Sequence, residues 1–160
     1  MHEDISKLLD LIGRKILAEL QESGRIPFTE LGRRVGLSTP AVMDRVRRLE
    51  DAGVIAGYRA EVDHGKMGYP ISAFIGVNVA GDFLPRMSKL AKGIPEILEC
   101  HRVTGSDSFI MKVIAGSVEE LEKTIDRLTP YVATTTSLVL SSLVTRRSIE
   151  PRRIRPRPNT

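Results

Sequence analysis

Near the start of the chain, Ile5, Leu8, Leu9, Ile12, Ile16, Leu17 and Leu20 recur at three- and four-residue steps. That spacing puts them on one side of a helix, and Ser23-Gly24 ends it. A second, shorter helix is predicted over Phe28 to Val35. Leu31 and Val35 face inward, and Gly36 can take the left-handed terminating conformation. Ser38 or Thr39 can cap a third helix, and Pro40 fits a first turn whose amides lack intrahelical partners. This helix runs to Asp51, where Gly53 stops it.

Further along, the period changes. Ile71, Ala73, Ile75, Val77 and Val79 alternate, as in a strand with one buried face. A helical stretch over Leu84–Ala91 follows, then strand-like segments at Ile97–Val103 and Phe109–Ala115 around the loop Thr104-Gly105-Ser106-Asp107-Ser108. Val118, Leu121, Ile125 and Leu128 mark another helix, and the β-branched run Val132–Val144 closes the pattern. The order strand, helix, strand, strand, helix, strand is that of the ferredoxin-like fold. The predicted class is α+β: an N-terminal helix-turn-helix domain over 1–57, a linker strand over 58–68, and a ferredoxin-like βαββαβ domain over 69–146. The remaining 147–160, rich in proline and arginine, is expected to be a disordered basic tail.

With aromatics at 4% and no Trp, the core must be aliphatic, and stacking of bases on rings is an improbable mode of nucleic-acid binding. A single Cys, Cys100, suits a reducing interior. The acidic start MHEDISKLLD does not resemble a signal peptide, and no apolar run reaches the roughly 20 residues of a membrane helix. A cytoplasmic protein is expected. The net charge of +4 is unevenly spread: +1 over 1–60, −2 over 61–145 and +5 over 146–160. So weak a total makes the placement of individual arginines the informative feature.

On a helical wheel of residues 39–51, Val42, Val46 and Leu49 share one face. Pro40, Met43, Asp44, Arg47 and Arg48 occupy the other, with Thr39 and Arg45 at the borders. A helix that enters a DNA major groove needs this division. Thr39, Pro40, Met43, Asp44 and Arg47 are the candidates for base edges, since Arg can bond bidentately to guanine and Asp can accept from cytosine. Arg33, Arg34, Arg45 and Arg48 suit phosphates, as do the Ser38 hydroxyl and adjacent helix amides. The same residues also fit a small three-helix domain whose arginines are merely solvated, with Asp44, Glu50 and Asp51 as salt-bridge partners.

The stretch LLDLIGRKILAELQESGRIPFTELGRRVGLSTPAVMDRVRRLEDAGVIAGYRAEVD resembles the DNA-binding half of the leucine-responsive/asparagine-regulator (Lrp/AsnC) family. The sequence R-x-x-RLE-x-x-GVI-x-GY from Arg45 to Tyr58 is the most specific part. HRVTGSDSFIMKV and TTTSLVLSSLV resemble the family's amino-acid-metabolism regulatory (RAM-type) module. The resemblance covers about residues 4–146. It implies a transcriptional regulator that binds double-stranded DNA and is not an enzyme. It also implies a homodimer, which can assemble to an octamer, with an amino acid bound between dimers. Two departures stand out. Gly13 replaces an acidic residue and costs roughly 0.5–1 kcal/mol inside a helix, and the effector loop Gly-x-x-Asp becomes Gly105-Ser106-Asp107-Ser108, its carboxylate one residue early.

An amino-acid effector needs a carboxylate or carbonyls for its ammonium, and amides and hydroxyls for its carboxylate. His101, Thr104, Gly105, Ser106, Asp107 and Ser108 are candidates, with Thr134, Thr135, Thr136 and Ser137 from the last strand. A plain hairpin turn opposite a threonine-rich strand is the competing reading. No cofactor or metal site is expected, since Cys100-His101 finds no further ligands at metal spacing. Nor is a catalytic constellation or Gly-rich phosphate loop present. Two other functions stay open: a ligand-independent architectural DNA-binding protein, and a metabolite-binding ferredoxin-like protein without a DNA role. The tail RRSIEPRRIRPRP fits a solubilising extension, and the competing reading is that it adds non-specific DNA affinity by counterion release.

Overall fold

The computed structural model describes residues 5–79, 84–130 and 132–152. Among these, two compact units separate: 5–60 together with 144–152, and 61–143.

The first unit contains α1 (Ile5–Leu8), α2 (Leu11–Glu22), α3 (Phe28–Val35) and α4 (Thr39–Asp51). Its core joins Leu8, Ile16 and Leu17 to Leu31, Val35, Val42, Val46 and Leu49. The single first helix that periodicity predicts is broken in two, because Asp10 caps a new start and accepts the Gly13 amide at 2.8 Å. Gly13 therefore lies in a first turn and not in a helix interior. A Cβ there would collide with the Leu8 carbonyl oxygen, so the break itself calls for glycine. The turn between α3 and α4 depends on Gly36, held at φ 77°. Ser38 caps α4, accepting from the Ala41 amide at 3.4 Å, and Pro40 sits in its first turn.

The second unit contains β1 (Ile71–Asn78), α5 (Leu84–Lys92), β2 (Ile97–Arg102), β3 (Phe109–Ala115), α6 (Val118–Asp126) and β4 (Ala133–Leu138). The sheet order is β2-β3-β1-β4, antiparallel throughout, the ferredoxin-like arrangement. Ala73, Ile75 and Val77 of β1 are fully buried with Met111 and Val113 of β3 against Met87, Ala91, Leu121 and Leu128. Phe109 is the one aromatic among the described core residues. Successive strand residues point to opposite faces, so Phe74 and Gly76 lie on the face away from the helices. Ser117 caps α6, accepting from Glu120 N–H at 3.2 Å, while the Glu120 carboxylate reaches back to Gly116 N–H at 2.8 Å.

Three segments depart from the sequence pattern. Residues 58–68 form no strand; His64–Gly68 instead close a turn, with Tyr69 N–H bonded to His64 C=O at 2.9 Å. The last strand stops at Leu138, well short of Val144. After Val139 N–H bonds Ser72 C=O at 2.9 Å, β1 has only Ile71 left to pair. At the start of the expected disordered tail, Ser148 and Ile149 are hydrogen-bonded to α2. Residues 153–160 lie outside the described residues.

Candidate nucleic-acid interface and effector cleft

Val42, Val46 and Leu49 are buried to 1% exposure or less and fasten α4 to the bundle. The opposite face presents Pro40, Met43 and Asp44, with Met43 47% exposed and the Arg47 side chain 80% exposed. Thr39 and Arg48 are half-buried at the borders. Arg47 meets Asp51 only at 3.7 Å, and Arg48 meets Asp44 at 3.8 Å. The Arg47 pair is too long to be a hydrogen bond.

Arg33, Arg34 and Arg45 are held by short contacts. Arg33 forms two 2.8 Å bonds to the Glu30 carboxylate; Arg34 reaches Glu30 at 2.7 Å and Glu19 at 2.8 Å. Hydrogen bonding from Arg33, then from Arg34, holds the Glu30 carboxyl down at about 2. Arg45, read as a phosphate contact, instead places Nη1 2.8 Å from both oxygens of Asp10. Burial pushes the Asp10 carboxyl upward, but the Gly13 amide and Arg45 outweigh it and keep it below its ordinary value. Tyr58 donates to Glu50 at 2.9 Å; burial first and that acid second raise its hydroxyl to about 12.

In the second unit, the loop after β2 is tied to β1. Ser108 N–H donates to Val77 C=O at 2.8 Å, Val79 N–H donates to Ser108 Oγ at 3.2 Å, and Asn78 donates to Ser106 C=O at 2.9 Å. The loop encloses an open cleft of about 290 Å³ lined by Val79, Arg102, Val103, Thr104, Gly105, Asp107 and Ser108. The Asp107 carboxylate lies directly over Gly76, at 2.7–3.0 Å from where a Cβ would be. Thr104, Gly105, Asp107 and Ser108 thus come together as read from sequence.

The other expected residues disperse. Ser106 is exposed outside the lining. His101 lies 3.2 Å from Glu99, whose carboxyl is held below its ordinary range by that contact and by Lys112 at 3.5 Å. Thr135 and Ser137 are registered opposite Gly76 and Phe74 and share their face, while Thr134 and Thr136 take the other. Sequence reasoning passed over Arg102, Val103 and Val79. Arg102, a guanidinium next to a Gly-bearing loop, could have been noticed as a carboxylate partner.

Together the two units define a class: helix-turn-helix proteins whose second domain is a ferredoxin-like module. The AsnC-type helix-turn-helix domain matches residues 9–50, and the Lrp/AsnC ligand binding domain matches residues 72–149. The chain belongs to the Lrp/AsnC family. It is 36% identical to the HTH-type transcriptional regulator LrpC of Bacillus subtilis over 138 residues, 86% of this chain and 96% of LrpC. The LrpC structure superposes with a TM-score of 0.82, covering 86% of this chain and 99% of that one. A proline dehydrogenase transcriptional activator of Rhodobacter capsulatus is 34% identical, over 88% of this chain and 95% of the activator. A feast or famine regulatory protein of M. tuberculosis, solved in complex with L-methionine, is 33% identical with a TM-score of 0.82, over 89% of this chain and 99% of that one.

Proposed function

We propose that this chain is a homo-oligomeric cytoplasmic transcriptional regulator, without enzymatic activity, that reads duplex DNA with α4 and adjusts its occupancy to a bound amino acid. One observation carries the reading. The three aliphatics of α4 are sealed into the core while Met43, Asp44 and Arg47 stand exposed on its far side. Thr39, Pro40, Met43, Asp44 and Arg47 are assigned to base edges. Ser38, Arg33, Arg34 and Arg48 are assigned to phosphates, and Arg45 to holding the helix.

The cleft supports an amino-acid effector. Asp107 supplies a carboxylate for an ammonium, and Arg102 a fork for a carboxylate. The L-methionine complex of the M. tuberculosis relative supports the same ligand class. The apolar residues left exposed in one copy, Phe74, Leu138, Leu140 and Leu143, support assembly by symmetric contact. A dimer sets two copies of α4 against half-sites about one helical turn apart. No helix among the described residues is long and apolar enough to cross a membrane.

The test is selection of binding sites from random duplex DNA, with and without an amino-acid mixture that includes methionine. The expected result is an enriched two-fold motif whose occupancy changes with the mixture. Recovery of no motif overturns the reading. A motif indifferent to every amino acid reduces the protein to an architectural DNA binder.

A further inference from the structure

The chain does not end with the sheet. Residues 144–152 belong to the helix-turn-helix unit, and Ser148 and Ile149 hold them there. The Gln21 side chain donates from Nε2 to the Ile149 carbonyl at 3.0 Å and accepts the Ile149 amide at Oε1 at 2.9 Å. Beside it, the Ser148 hydroxyl donates to Glu22 at 2.7 Å. A primary amide that satisfies both the N–H and the C=O of one residue reads main chain alone. It fixes where the segment lies whatever side chains follow. Gln21 is tied in turn to the Leu17 carbonyl at 3.2 Å.

The anchor has a telling neighbour. Glu19, one turn before Glu22 on α2, pairs with Arg34 of α3 at 2.8 Å. Side chains three positions apart on a helix are adjacent, with Cβ atoms about 5–6 Å apart. The segment is therefore held next to the Arg33–Arg34 edge of the helix-turn-helix. Arg147 immediately precedes the anchored pair and Arg152 follows closely; both are exposed. Residues 146–160 carry six arginines against one acid, Glu150. Arg34 offsets the charge of Glu19, while Glu22 keeps its charge and accepts from Ser148. The matched family domain ends at residue 149, so the arginines from 152 onward lie beyond the shared portion.

We infer that the C-terminal segment is a second DNA contact, one that does not read sequence. Gln21 and Glu22 pin it so that Arg147 and Arg152 meet backbone phosphates flanking those met by Arg33 and Arg34. The inference rests on α4 being the DNA-reading helix. Pinning reduces the ordering entropy that a free basic tail loses on binding, and arginine suits phosphate through its planar fork.

The experiment measures binding to a duplex of unrelated sequence from 50 to 200 mM salt. It compares the full chain, a truncation lacking 147–160, a full-length variant with Arg147, Arg152, Arg153, Arg155 and Arg157 changed to Gln, and Gln21→Ala. Each phosphate contact adds about 0.9 to the salt slope, so if the tail makes two, the full chain loses about tenfold more affinity over this range than the truncated or neutralised proteins. Gln21→Ala weakens binding several-fold with unchanged thermal unfolding. Equal slopes for the full, truncated and neutralised proteins overturn the inference and leave the α4 reading intact. Wild-type binding by Gln21→Ala, with a reduced slope on truncation, overturns the anchor. No binding of the full chain to any duplex overturns the reading of α4 and this inference with it.

Discussion

Arg45 Nη1 lies 2.8 Å from each carboxylate oxygen of Asp10, so the residue that caps α2 also fastens α4. The Arg45 side chain is only 26% exposed, which sets it apart from the exposed Met43, Asp44 and Arg47 and makes it the strut of the helix that carries them. Asp10→Ala removes a cap and a partner and is expected to cost about 1–2 kcal/mol. Arg45→Ala is expected to cost up to about 1 kcal/mol. In denaturant unfolding the double variant should lose less than the two costs added together. Strict additivity would show that the contact carries no energy.

Arg47 and Arg33 should fail differently. Arg47→Ala is expected to cost about 1–3 kcal/mol in operator binding and to relax preference at one base-pair position. Arg33→Ala should weaken binding to every sequence alike and lower the salt slope by about 1. Binding to a library of single-base operator variants separates the two. Identical profiles for both variants would remove the distinction drawn between α4 and α3.

Glu30 compensates the charge of both Arg33 and Arg34, and its effect depends on pH. Its carboxyl is lowered from 4.5 to about 2 in the folded protein. A lowered carboxyl adds stability that is fully present above its unfolded value and lost as pH falls through its folded one. Glu30→Gln should therefore be less stable than wild type at pH 6, with the gap closing between about pH 4.5 and pH 2. Thermal unfolding across that range measures it, and a gap that ignores pH refutes the assignment. At neutral pH the same variant frees the Arg33 guanidinium, leaves Arg34 to Glu19 alone, and should bind DNA more tightly at low salt.

Gly76 leaves the space that Asp107 fills. A Cβ there would stand 2.7 Å from a carboxylate oxygen, so Gly76→Ala must push the Asp107 side chain aside. Amino-acid binding, followed by calorimetry, should weaken about tenfold or more, equivalent to about 1.4 kcal/mol. Asp107→Asn should do the same without the steric change. Unchanged affinity in both variants would remove Asp107 from the effector site.

Much of this protein is written in local periodicity. The three- and four-residue recurrence of Leu31, Val35, Val42, Val46 and Leu49 selects α3, α4 and their inward faces, because a helix brings those positions into one stripe. The alternation Ala73, Ile75, Val77 selects a strand for the same kind of reason, and Gly36 and Ser38 mark where one helix stops and the next begins. Tertiary packing settled the rest. Whether Arg45 faces phosphate or Asp10 depends on a residue 35 positions away, and Arg34 likewise answers to Glu19 across the bundle. The break at Asp10–Gly13, the seat of Asp107 over Gly76 and the return of Ile149 to Gln21 are all close approaches between elements. A one-dimensional pattern carries the preference of a residue for burial, but the choice among several charged or polar partners is made only when folding fixes which elements touch.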